Sequence, residues 1–120
     1  MKIAITTTGD NLNAPMDARF GRAQKFIVYD LDSNSFEVVD NQQNLNAIQG
    51  AGIQSAEAVA KTGARAVLTG HCGPKAFRAL SAAGIKIYNI SGATVSEAIE
   101  KFRSGQIAEA VSADVEGHWS

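Results

Sequence analysis

Between Ile48 and Gly92 the chain runs twice through one order: an amphipathic helical stretch, a glycine, a short apolar strand and a second glycine. In the first unit Ile53, Ala56, Val59 and Ala60 recur at helical spacing, Gly63 marks the stop, and Ala66-Val67-Leu68-Thr69 follows as a continuous apolar run closed by Gly70. In the second unit Pro74 opens a helix carrying Phe77, Leu80 and Ala83 on one stripe. Gly84 ends it, and Ile85-Lys86-Ile87-Tyr88-Asn89-Ile90 forms the strand. Strands with continuous apolar runs are buried on both faces. When helices connect them, they lie parallel with right-handed crossovers. The repeat is therefore the signature of αβ crossover architecture, and it excludes an all-helical bundle and an all-β sandwich alike.

The flanking segments complete the sheet. Lys2 to Thr8 alternates and is rich in Ile and Thr, which predicts the first strand; the turn formers Gly9-Asp10-Asn11-Leu12-Asn13 follow it. Lys25 to Leu31 and Ser35 to Asp40 are β-rich runs separated by Asp32-Ser33-Asn34, a hairpin pattern. Thr94-Val95-Ser96-Glu97 has the spacing of a capping box, with Val95, Ala98, Ile99 and Phe102 as the stripe and Gly105 as the stop. The tail from Gln106 to Ser120 fits a short helix, an edge strand or coil. The order β-β-β-α-β-α-β-α gives an α/β class: a three-layer α/β/α arrangement with a five-stranded mixed sheet, expected order 3-2-1-4-5 and strand 2 antiparallel. Ribonuclease H-like folds share this order. A length of 120 residues at 45% hydrophobic fits one domain, residues 1–120.

Charge and cysteine usage narrow the chemistry. Eleven basic against twelve acidic residues give no basic excess for capture of nucleic acid. No apolar run reaches membrane-spanning length, and the start is too short for the apolar core of a signal peptide, so neither a nucleic-acid nor a membrane partner is expected and the chain reads as cytoplasmic. The single cysteine, Cys72, excludes an intramolecular disulfide and a multi-cysteine metal site. It fits a reducing compartment.

In a sheet of this topology the carboxyl ends of strands one, three, four and five meet at one edge, where all three helices begin. Ligands of open α/β sheets bind there, and helix N-termini favour an anion. The edge collects Thr8 to Arg22, Gly50-Ala51-Gly52, Gly70 to Pro74, and Ser91 to Thr94. Two-metal nucleases need carboxylates on the first and fourth strands, whereas this chain offers Thr6, Thr7, Thr8 and Thr69, so that chemistry is not expected. No Ser-His-Asp spacing or paired-carboxylate pattern appears either, and the chain reads as a binder rather than an enzyme.

Several residues at this edge are candidates. Cys72, between a strand and a helix N-terminus, is either a thiolate able to bind a soft metal or a small buried hydrophobe. His71 is a second metal ligand or a loop residue bonded to the backbone. Arg19 and Arg22 fix an anionic ligand or are solvated loop charges. Lys75, in the first turn of a helix, opposes the dipole unless an anion is close. Gly50 and Gly52 begin like a phosphate-binding G-x-G, yet Ser55 replaces the third glycine. Gly70 and Gly73 leave the backbone open around Cys72. His118 either folds back over the site as a ligand or frays.

Lys2-Ile3-Ala4-Ile5, Arg19-Phe20-Gly21-Arg22-Ala23, Gly70-His71-Cys72-Gly73-Pro74-Lys75-Ala76-Phe77, Ala83-Gly84-Ile85 and Gly117-His118-Trp119 together resemble the dinitrogenase iron-molybdenum cofactor biosynthesis family across nearly the whole chain. The resemblance implies a ribonuclease H-like domain that carries or stores an anionic metal-sulfur cluster or its precursor, of the iron-molybdenum cofactor type or a molybdenum-copper type. It also implies partners among cofactor-assembly or acceptor proteins. No radical-SAM cysteine motif is present, which favours a carrier module over an assembly enzyme. The alternative is a small regulatory or scaffold domain that binds a partner protein or small anion at the same edge, without a cluster.

Overall fold

β-branched residues at alternate positions put Lys2–Thr7 in an extended strand, β1, and a computed structural model, which describes residues 1–41, 51–90 and 92–110, sets it at the centre of the sheet. Every residue from Ile3 to Thr7 is buried. β2 (Lys25–Asp30) runs antiparallel to β1 with Ile3 opposite Tyr29 and Ile5 opposite Ile27, and β3 (Phe36–Asp40) runs antiparallel to β2. The hairpin turns where Asp30 Oδ1 accepts the Asp32 N–H at 2.9 Å and Asn34 takes a positive φ of 59°.

Across the other side of β1 lie β4 (Ala64–Thr69) and then β5 (Lys86–Asn89), both parallel to it, giving the order β3-β2-β1-β4-β5. This is the predicted sheet, including the direction of strand 2. β4 begins two residues earlier than the apolar run suggested, because Ala64 is also buried.

Alternation along β1 sends Ile3 and Ile5 to one face and Ala4 to the other. Helices α1 (Ala51–Lys61) and α2 (Pro74–Ala82) cover the Ala4 face with Phe26, Val28, Val67 and Ile87. Helix α3 (Val95–Arg103) covers the Ile3 face with Ile27, Ala66 and Leu68. These are the three layers of an α/β/α sandwich.

Two helical stripes differ from expectation. In α1 the buried residues are Ala51, Gly52, Ser55, Ala56 and Val59, while Ile53 is 37% exposed and Ala60 is exposed. α1 packs against α2 as well as the sheet, and small side chains allow that close approach. In α2 the core positions are Ala76 and Leu80, with Phe77 half-buried; Ala83 is the exposed C-cap. Gly63 and Gly84 follow these helices at φ 85° and 76°, the left-handed geometry that ends a helix cheaply only with glycine.

Ser55 is buried because it has a partner. Asn41, also fully buried, donates from Nδ2 to the Ala23 carbonyl at 2.8 Å and to Ser55 Oγ at 3.0 Å, tying the end of β3 to α1 and to the chain entering β2. At the opposite sheet edge the Ala110 N–H donates to the Ile87 carbonyl at 2.8 Å and Glu109 bridges Tyr88, so the first part of the tail lies as an edge segment on β5. No described helix is long and apolar enough to cross a membrane.

Candidate anion site at the carboxyl edge of the sheet

The segment from Thr8 to Gln24 crosses the carboxyl ends of β1 and β4, and polar residues of those strands hold it there. The Asp17 N–H donates to the Thr6 carbonyl at 2.9 Å, and Thr6 Oγ1 returns a bond to the Asp17 carbonyl at 2.7 Å. Thr6 Oγ1 also lies 3.0 Å from Thr69 Oγ1, and Thr7 Oγ1 donates to the Pro15 carbonyl at 2.9 Å. Both Thr6 and Thr69 are fully buried. At the positions where a two-metal nuclease needs carboxylates, these hydroxyls fasten a loop.

Further along, the Phe20 N–H donates to the His71 carbonyl at 3.0 Å, with Arg19 paired alongside His71. Phe20 is fully buried and its ring packs 5.6 Å from that of Phe26. This explains the Arg-Phe-Gly-Arg pattern: Phe20 and Gly21 turn inward, leaving Arg19 and Arg22 exposed on the outer side. Gly70 completes the seat. A Cβ there would stand 2.7 Å from the Ala18 carbonyl oxygen and 2.9 Å from Ala18 Cα, so only glycine lets the loop lie on the end of β4.

On its outer side the loop frames an open cavity of about 580 Å³, walled by Thr8, Met16, Asp17 and Ala18 and then by Arg19, Arg22 and Gln24. Two arginines and one aspartate are among its lining residues. The cavity lies within the size range of small-molecule sites.

The helix N-termini contribute less than their convergence suggested. In α3 the Val95 and Ser96 N–H groups donate to the Ala14 and Leu12 carbonyls at 2.9 and 2.8 Å, and the Glu97 N–H goes to Thr94 Oγ1 at 3.2 Å. The loop itself takes up these donors. Glu97 Oε1 accepts the Thr94 N–H at 2.8 Å, closing the predicted capping box. That backbone bond, assisted by the Thr94 hydroxyl, lowers the Glu97 carboxyl pKa. In α2 the first residue is Pro74, which has no N–H.

Of the residues singled out from sequence, Thr8, Arg19 and Arg22 line the cavity together. His71 is half-buried and paired through its backbone with Arg19, and Gly70 lies under Ala18. Cys72 is 1% exposed and packs with Phe20, Ala23, Phe26 and Ala76 in the core behind the loop. Gly73 and Gly52 are buried at the starts of α2 and α1, and Lys75 is exposed. Gly50, Ser91 and His118 lie outside the described residues. Met16, Asp17, Ala18 and Gln24 were not singled out individually, although the first three fall within the loop assigned to this edge. Among the described residues no three His, Cys, Asp or Glu side chains gather as a metal-ligand set.

Comparison with known proteins finds one family model and several similar chains. The family model described as dinitrogenase iron-molybdenum cofactor matches residues 1–105. The apo form of the orange protein from Desulfovibrio gigas superposes with a TM-score of 0.93 at 43% identity, covering 95% of this chain and 96% of that one. A Thermotoga protein of the DUF35 family, solved by NMR, gives a TM-score of 0.85 at 34% identity over 97% of this chain and 98% of that one. An uncharacterised protein of Methanocaldococcus jannaschii is 28% identical over 110 residues, 89% of each chain.

Proposed function

This chain belongs to the dinitrogenase iron-molybdenum cofactor family, and we propose that it carries an anionic metal-sulfur cluster, or a precursor of one, in the cavity at the carboxyl edge of its sheet. The observation that carries this reading is the pairing of Arg19 and Arg22 on a loop fastened at both ends, opening onto about 580 Å³. Guanidinium groups present N–H donors in planar forks, the pattern suited to the oxo and sulfido edges of a polyanion. The Thr8 hydroxyl and the Gln24 amide add neutral donors.

The donor set fits a cargo that brings its own sulfides. Held by charge and hydrogen bonds, such a cluster could be handed on without breaking protein–metal bonds. Cys72 is buried in the core behind the loop, while His71 is half-buried and bridged through its backbone to the neighbouring Arg19, which lines the cavity. The iron-molybdenum and molybdenum-copper types both suit these features, and cofactor-assembly or acceptor proteins would be the partners. The buried Thr6 and Thr69 hydroxyls, where a nuclease would place metal-binding carboxylates, favour carriage over catalysis.

The test is anaerobic purification with analysis of molybdenum, iron, copper and sulfide, followed by uptake of a molybdenum-sulfide anion. Replacing Arg19 and Arg22 together with glutamate is expected to lower uptake at least about tenfold while changing the unfolding midpoint by only a few degrees. A chain that is metal-free and takes up nothing would instead favour the regulatory or scaffold alternative.

A further inference from the structure

Asp17 is out of place in a cavity built for an anion, and its carboxylate is firmly held. Its backbone is clamped on both sides by Thr6, through the N–H at 2.9 Å and the carbonyl at 2.7 Å. Its Oδ1 accepts the Arg19 N–H at 3.0 Å, an Asx turn that keeps the side chain on the wall it shares with Arg19 and Arg22. The neutral amide oxygen of an asparagine makes the same turn, so the turn by itself does not require the charge.

We infer that Asp17 sets the affinity of this site: its carboxylate offsets one of the two guanidinium charges, so that the cavity holds a polyanionic cargo loosely enough to release it. The inference rests on the carrier reading above. With Asp17 the side chains on the wall carry a net charge of one positive unit, and without it two. The cavity volume corresponds to a space roughly 10 Å across, so the carboxylate acts on a centred dianion over about 5–8 Å in a high-dielectric, partly open site. Removing it is expected to tighten binding of a dianion roughly tenfold and to steepen the salt dependence of binding. A more highly charged cargo should gain more than a monoanion, so the same residue also selects by cargo charge.

The test titrates the full chain, Asp17→Asn and Asp17→Ser with tetrathiomolybdate under anaerobic conditions at two salt concentrations, read by visible absorption. Both replacements keep an oxygen acceptor for the Arg19 N–H and remove the charge. The expected result is tighter binding by both variants with a steeper loss at high salt. Equal or weaker binding by either variant, with binding by the parent intact, overturns the inference and leaves the carrier reading standing; weaker binding would make Asp17 a ligand or a positioning group. No binding by parent or variants overturns the anion site and the inference with it.

Discussion

Replacing Gly70 with alanine tests whether the end of β4 sets the position of the cavity wall. The new Cβ would sit 2.7 Å from the Ala18 carbonyl oxygen, where ordinary contact begins at 3.4 Å, so the loop must retreat by about 0.7 Å. It has little room to do so. Asp17 on one side is bonded to Thr6 at 2.9 and 2.7 Å, and Phe20 on the other is bonded to His71 at 3.0 Å. Overpacking against backbone held this way costs about 1–3 kcal/mol. At this chain length that lowers the thermal midpoint by roughly 3–5 °C per kcal/mol. Arg19 follows Ala18, so its guanidinium is displaced with the loop, and anion affinity is expected to fall about threefold to tenfold. Gly63→Ala is the control: at φ 85° with open space around it, it should lose about 1 kcal/mol to backbone strain and leave affinity unchanged. Calorimetry and anion titration of both variants read the two effects separately. A Gly70→Ala protein as stable and as tight-binding as the parent, or equal affinity losses in both variants, would refute the seating argument.

Cys72→Ala is expected to fold and still take up the cargo, because Cys72 is buried in the apolar cluster behind the loop; metal analysis of the variant checks this, and complete loss of metal would make Cys72 an obligatory ligand. The Glu97 carboxyl is held below the usual glutamate range, chiefly by the Thr94 N–H. The capping box therefore stabilises α3 fully above the unfolded-state value, and the contribution is lost as pH falls below it through the lowered folded-state value. Unfolding curves of the parent and Glu97→Gln should accordingly converge in acid; a constant gap at every pH would rule this out.

The sheet was legible from local signals. Glycine-bounded apolar runs at β4 and β5, the Asp-Ser-Asn hairpin and the Thr94-Glu97 box are local signals, and chirality with short connections leaves one order of strands that satisfies them. The sequence also located the edge where Arg19, Arg22 and Thr8 meet, because topology alone brings strand ends together. Tertiary packing decided where each side chain lies. Cys72 sits at a suggestive position in the chain, yet it is 1% exposed and belongs to the same buried cluster as Phe20, a residue far away in sequence. The α3 N–H groups face the edge, as the capping pattern implied, but carbonyls of a loop more than eighty residues earlier take them up. Ile53 and Ala60 have the right spacing for a core stripe and remain exposed, since α1 has a helix as well as a sheet for a neighbour. Periodicity reports what one element needs to bury. Which neighbour buries it, and which polar groups are already paired when a ligand arrives, is settled only when distant segments come into contact.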